Sequence, residues 1–227
     1  MIYVTGDSHG DYFKFSEIEE KTILTQYDYV LICGDFGFIF SNSPLEKRLL
    51  DELAKKEYTI LFIDGNHENF PALNKFPVEE WNGGKIHRIR PNIIHLMRGQ
   101  VFTIEGKTFF TFGGAFSTDR GFRRLHESYW DEEIPNSDEI NEARTNLEKV
   151  GNNVDYVITH TLPASTIRLL GYYIDDKMPD KHFTDFLDEV RTTVKYKKWF
   201  AGHFHKDQYA NASDNIRILY KSFVCVD

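Results

Sequence analysis

Five apolar runs in this chain of 227 residues each stop at a break that carries a residue able to bind metal, and this repetition constrains the fold more than any other feature. In the fullest of them, the run Tyr29 to Cys33 suits a buried strand and ends at Gly34, followed by Asp35. The other four place Asp7 and His9 after Ile2 to Thr5, Asn66 and His67 after Thr59 to Ile63, His160 after Tyr156 to Thr159, and His203 and His205 after Trp199 to Ala201. All five are expected to meet at one pair of metal ions, with Asp35 between them.

Between the first three runs, Phe13, Ile18 and Ile23 or Leu24 fit a helix loosely, and Leu45, Leu49, Leu50 and Leu53 recur at helical spacing. The order strand, helix, strand, helix, strand implies parallel pairing with right-handed crossovers. In open α/β sheets ligands gather at the carboxyl ends of the strands, where Asp7, Asp35 and Asn66 fall. After Gly83 and Gly84 the runs shorten to Ile93 to Leu96, Val101 to Ile104 and Thr108 to Phe112, with a hairpin turn at Glu105-Gly106. These are expected to form a second, more antiparallel layer. Residues of about 115–135 show no clear period, and a long irregular segment inside a compact domain is usually functional or disordered. Asn136 or Ser137 can cap the next helix, which should fade near Gly151, Glu139 lying three residues after Asn136. Phe183, Phe186, Leu187, Val190 and Val194 mark one face of another helix, and Ile216 to Tyr220 and Phe223 to Val226 read as closing strands.

A hydrophobic content of 41% over this length provides one sizeable core, so residues 1–227 are read as a single domain. A formal charge of -8 sets the surface against nucleic acid and anionic lipid, which argues against nonspecific nucleic-acid binding. No basic segment precedes an apolar one and no apolar run approaches membrane length, so a soluble, cytoplasmic protein is expected. Cys33 and Cys225 lie in apolar runs at opposite ends of the sequence and read as buried thiols, not as a disulfide.

Residues two apart in an extended chain project to one side, so Asp7 with His9, and His203 with His205, can each present two ligands in one direction. Either short string alone is common on loop surfaces. The weight comes from five strand ends that together offer two carboxylates, one carboxamide and several imidazoles, a donor set for divalent metal.

The series Gly6-Asp7-Ser8-His9-Gly10, Gly34-Asp35, Gly65-Asn66-His67-Glu68, His160 and Gly202-His203-Phe204-His205 resembles the calcineurin-like metallophosphoesterases and spans nearly the whole chain. The resemblance implies an α/β fold, a four-layer α/β/β/α sandwich of two mixed sheets flanked by helices, with a dinuclear metal centre. One metal would take Asp7, His9, Asp35 and His205, and the other Asp35, Asn66, His160 and His203, so that Asp35 bridges. Two divalent ions per chain are expected, manganese first, with iron, zinc, magnesium, nickel or cobalt as alternatives that the same nitrogen and oxygen ligands admit. Such a pair, about 3.5 to 4 Å apart, can hold a bridging hydroxide and stabilise the attacking and leaving oxygens of an in-line displacement. The charges of the two ions exceed those of Asp7, Asp35 and the hydroxide by one, which leaves a positive site for an anionic phosphate. Screening beyond about 8 Å at physiological salt lets that local charge prevail over the acidic surface.

By the same resemblance His67 points at the leaving group, to protonate the departing alkoxide or to stabilise charge on the phosphoryl oxygens. Phosphoprotein phosphatases carry an acid three positions after the bridging aspartate and then an arginine, whereas Phe38 and Ile39 stand here. The usual carboxylate partner of His67 and one phosphate-gripping arginine are therefore missing. Arg120, Arg123, Arg124 and His126, in the irregular segment, are candidates to bind the phosphate, against the plainer reading of solvated charge. Tyr129, Trp130, Phe36 and Phe38 could wall a pocket that stacks a base or an aromatic leaving group, against the plainer reading of core. His87, His95 and His182 have no motif around them and are assigned no function.

The expected activity is metal-dependent hydrolysis of phosphoester bonds, first as a phosphatase of small or protein phosphomonoesters. A nucleotide phosphodiesterase is the second reading, since a diester carries less charge for the missing arginine to neutralise. A binding module that keeps the fold without the reaction is the third, and the filled ligand positions weigh against it.

Overall fold

The computed structural model describes residues 1–226. Its chain runs β1 (Ile2–Thr5), α1 (Phe13–Lys21), β2 (Tyr29–Ile32), α2 (Pro44–Leu53), β3 (Thr59–Phe62), α3 (Phe70–Leu73), β4 (Val78–Trp81), β5 (Gly84–Arg90) and β6 (Ile93–Leu96). It continues with β7 (Gln100–Ile104), β8 (Lys107–Phe112), α4 (Ser137–Lys149), β9 (Tyr156–Thr159), α5 (Ala164–Leu169), α6 (Lys181–Thr193), β10 (Lys198–Ala201), β11 (Gln208–Asn211), β12 (Ile216–Ile218) and β13 (Val224–Val226). Two mixed sheets result, ordered β13-β1-β2-β3-β6-β5-β4 and β11-β12-β10-β9-β8-β7. Strands β1, β2, β3 and β6 are parallel neighbours, as are β8, β9, β10 and β12.

The side chains of each central strand divide between two cores. Leu31, Leu61 and Ile94 of the first sheet pack with Phe109, Ile158 and Phe200 of the second. Val30, Ile32, Ile60 and Phe62 of the same first-sheet strands turn the other way, onto Phe15 and Ile18 of α1 and Leu50 and Leu53 of α2. On the far side of the second sheet, Phe110, Val157 and Trp199 meet Ile140 and Leu147 of α4 and Phe186 and Val190 of α6. Strands covered on both faces have no polar side to show, which is why these runs read as continuously apolar. The layers are helices, sheet, sheet, helices, as the resemblance implies.

The boundary between the sheets differs from the sequence expectation. β6, expected in the second layer, pairs in parallel with β3 in the first, and the unforeseen β4 and β5 extend that sheet as an antiparallel hairpin. All four residues of β6 are buried, so periodicity carried no information about its neighbour. Asn82 and Gly83, both at positive φ, form the turn of the new hairpin. The Glu105-Gly106 turn joins β7 to β8 as expected. α1 turns Lys14, Phe15 and Ile18 inward and leaves Phe13 and Ile23 exposed, because the helix ends at Lys21 before Ile23 can join its buried stripe. Asn136 caps α4 in a full capping box with Glu139.

Phe36 and Phe38 are wholly buried in the helix-side core of the first sheet, where Phe36 stacks on Phe62. Trp130 is buried edge-on to Phe40. These three belong to packing, not to a pocket wall. Neither cysteine is in a disulfide; Cys33 is fully buried, but Cys225, expected to be buried, is only partly so because it lies on the edge strand β13. Among the described residues no helix is long and apolar enough to cross a membrane.

Just beyond β3, Asp64 anchors a buried polar network. Its Oδ2 accepts from Arg98 at 2.6 and 2.8 Å, its Oδ1 lies 3.3 Å from His95 Nε2, and His95 Nδ1 meets His87 Nδ1 at 3.2 Å. Arg98 also reaches Glu139 on α4. His87 and His95 thus cross-link the first sheet, and His182 donates to the Pro135 carbonyl at 2.7 Å.

Candidate metal centre

The loops after β1, β2, β3, β9 and β10 meet at the carboxyl ends of both sheets. Asp35 is 1% exposed, and its Oδ2 lies 3.4 Å from His160 Nε2 and 3.7 Å from His9 Nε2. Asp7 Oδ2 lies 3.1 Å from His205 Nε2 and 3.6 Å from His9 Nε2. His160 Nε2 is also 2.9 Å from Asn66 Oδ1, and the His160 and His203 rings are 5.1 Å apart. Two triads, Asp7 with His9 and His205 and Asp7 with Asp35 and His160, hold their ligand atoms within 4.8 Å of one another. The chain therefore brings all seven sequence candidates into one cluster.

The backbone reaches this arrangement by a route the sequence did not show. His9, Asp35, His203 and His205 have φ of 47°, 50°, 65° and 50°, so the pairs two apart are not held on extended chain. Left-handed backbone disfavours side chains by roughly 1–2 kcal/mol each, and such outliers gather where a site demands them. Close approach adds a second constraint. A Cβ on Gly65 would stand 2.0 Å from Asp35 Oδ1, and one on Gly202 would stand 2.1 Å from Asp7 Oδ1. Only glycine lets these loops pass the carboxylates.

The electrostatics suit cations. Burial works to raise both carboxyls, yet hydrogen bonds from His205 and His9 hold Asp7 far down, and the charge of His160 keeps Asp35 low. Burial opposes a charge on His160, but Asp35 overrides it and pushes the imidazole up to about 10. His205 is raised by its hydrogen bond to Asp7, whereas burial takes His203 down to about 4. The charge on His160 thus offsets part of the negative charge of the two buried carboxylates, and a cation bound there would take over that role. His9 Nε2 and His205 Nε2 share a hydrogen bond at 2.9 Å, so both ring nitrogens face one point, and His160 Nδ1 is directed at the Cys33 carbonyl at 2.7 Å. That last bond fixes the ring so that Nε2 faces the acids, the arrangement found around metal-binding histidines. The donor set and its charge fit divalent metal.

Several supporting residues escaped the sequence reading. Lys14 of α1, buried behind the first loop, donates to the carbonyls of Gly6, Asp7 and Tyr220 at 2.8, 2.7 and 2.5 Å, and burial draws its pKa down to about 8. Glu68 is buried and accepts from the Phe36 amide at 2.7 Å; burial raises its pKa well above the ordinary carboxyl value. Lys14 had no signal beyond a charged residue on an apolar helix face, while Glu68 was visible as the last letter of Gly65-Asn-His-Glu68.

His67 sits at the rim, beside a cavity of about 280 Å³ that it lines with His9, Phe40 and Glu46. Its amide donates to Asp35 Oδ1 at 2.7 Å, and its ring meets His9 edge-on at 5.5 Å. Burial lowers its pKa, with Asp35 and Asp119 pulling it up and Arg123 pushing it down through space. Arg123 donates to Ser117 Oγ at 2.8 Å, and Asn66 Nδ2 bonds the same hydroxyl at 2.8 Å. Asp119, 3.3 Å from Arg123, and Ser117 were not singled out by sequence, since neither carries a motif. Arg120 lies between the rings of Phe116 and Tyr129 and 3.4 Å from Glu133. Arg124 is exposed and pairs with Glu127 at 3.5 Å, and His126 is exposed. Among the described residues no hydrogen bond or ion pair joins Arg124 or His126 to the cluster.

The family model described as calcineurin-like phosphoesterase matches residues 1–207 of this chain. No curated protein matches it.

Proposed function

The chain belongs to the calcineurin-like phosphoesterase family and is a metal-dependent phosphoesterase, and we propose that it hydrolyses phosphomonoesters at a dinuclear centre. The observation that carries this reading is the convergence of Asp7, Asp35 and His160 from strands of both sheets, with His67 tied to Asp35 by its amide. Asp7, His9, Asp35 and His205 would hold one divalent ion, and Asp35, Asn66, His160 and His203 the other. Bound there, the ions supply activation of water and neutralisation of phosphoryl charge, and manganese is the first ion to test.

The residues of the chain do the rest. His67 stands at the rim to give a proton to the departing oxygen, with Asp119 in the place of the missing acid partner and acting on the ring through space. Arg123 is the group we assign to the phosphoryl oxygens, because among the described residues it is the basic candidate that shares the Ser117 hydroxyl directly with Asn66. The buried Lys14 braces the loop that carries Asp7 against Tyr220.

A chromogenic phosphomonoester supplied with manganese tests the reading. Turnover should vanish with chelator and in Asp35→Asn, and robust turnover after chelation would count against it. A chromogenic diester of the same leaving group addresses the diesterase alternative, which a large preference for the diester would establish.

A further inference from the structure

Resting on that phosphoesterase reading, we propose that a cavity beside His203 receives the nucleobase of a nucleotide substrate. The cavity measures about 290 Å³, and Phe116, Tyr172, Ile174, Met178 and Phe204 line it together with His203. That volume lies near the lower bound for small-molecule pockets. The rings of Tyr172 and Phe204 are 5.4 Å apart, and Phe204 meets His203 edge-on at 5.1 Å. The aromatic wall therefore begins where the metal centre ends. A phosphoester held at the metals would extend its organic part into apolar walls that favour a flat ring.

The polar features of the wall select a base over a plain aryl or alkyl group. Asp180 is 7% exposed and lines the cavity, and its Oδ1 has no hydrogen-bond partner among the described residues. Arg120 acts on Asp180 only through space; its Nε pairs with Glu133 at 3.4 Å without a hydrogen bond, and its Nη2 has no hydrogen-bond partner among the described residues. A buried acceptor left unsatisfied is destabilising, and an exocyclic amino group would satisfy it with a small movement of the wall. Thr118 and Thr161 add hydroxyls to the lining. Lys206 Nζ lies 5.2 Å from the Tyr172 ring centroid, so the aromatic wall is flanked by a cation suited to the phosphate end. A phenyl or hydrocarbon tail would fill the space and leave Asp180 Oδ1 without a donor.

Hydrolysis of adenosine 5′-monophosphate, ribose 5-phosphate and phenyl phosphate by the manganese-loaded protein tests this. We expect kcat/KM for the adenine nucleotide to exceed that for each of the others by at least tenfold, through KM. Met178→Trp, which fills the cavity, should lower the ratio of adenine nucleotide to ribose 5-phosphate at least tenfold, and Asp180→Asn should lower it severalfold. Equal rates on all three, a preference for phenyl phosphate, or an unchanged ratio in both variants would overturn the assignment. If none of the three is hydrolysed, the catalytic reading fails separately, and calorimetric titration with adenosine decides the subsite. Adenosine binding weakened in Met178→Trp would support it, and no binding to the unaltered protein would end it.

Discussion

The amide of His67 donates to Asp35 Oδ1 at 2.7 Å, so the residue at the rim and the carboxylate at the centre are held in register by the backbone. The same carboxylate keeps its other oxygen for His160 and His9. Asp35→Asn can retain the bond to the His67 amide while losing the negative charge. It should fold, and kcat/KM on a phosphomonoester should fall on the order of 10³-fold, the scale of removing a charge-stabilising group. Loss of bound metal, measured by elemental analysis, should accompany the fall.

Arg123 and Asp119 act on His67 in opposite directions, and this gives a test with a sign. If His67 supplies a proton, the rate declines as pH rises past its pKa. Removing the positive charge in Arg123→Met favours the protonated ring and should move that limb to higher pH. Asp119→Asn should move it to lower pH. Profiles of kcat/KM against pH in the two variants that shift together, or not at all, would sink the assignment.

His87 gives a pH dependence of stability that is separate from catalysis. Burial pushes it from an ordinary value near 6.5 down to about 4, so below pH 6.5 the unfolded chain takes up a proton that the folded chain refuses. Stability is therefore lost as pH falls through the window from 6.5 to 4, by up to about 3 kcal/mol for this one group. His87→Gln should lose less stability than the unaltered protein between pH 7 and pH 4.5 in urea unfolding.

Arg98 pairs with Asp64 inside the same network. Arg98→Met would leave Asp64 buried without its cation, and should cost about 3–5 kcal/mol, read from the urea midpoint.

Two substitutions in loops separate the site from the scaffold. Gly65→Ala drives a methyl group to within 2.0 Å of Asp35 Oδ1, and metal stoichiometry should drop with it. Asn136→Ala removes the cap of α4 and should cost about 1 kcal/mol of stability, with phosphomonoester turnover unchanged.

Much of the scaffold was legible because doubly covered strands leave an uninterrupted apolar trace that ends where the chain turns polar. β1, β2, β3, β9 and β10 were read to within a residue or so, and each is followed within four residues by a side chain of the cluster. The exposed edge strands β4 and β11 were not legible. β4 alternates exposed and half-buried positions through two glutamates, and its apolar content is too thin to mark a strand.

The order of residues along this chain was enough to name the family and the seven side chains that meet. Two kinds of fact came only with the folded molecule. One is the local backbone: left-handed φ at His9, Asp35, His203 and His205 is imposed by neighbours packed against those loops, and side chains that avoid such angles carry no mark of it in their spelling. The other is the company kept across long separations, as when Ser117 joins Arg123 to Asn66 or Asp180 lines the same cavity as His203. Hydrogen bonds and cavities depend on distance in space, and residues far apart in a sequence become neighbours only when two sheets close on a common core.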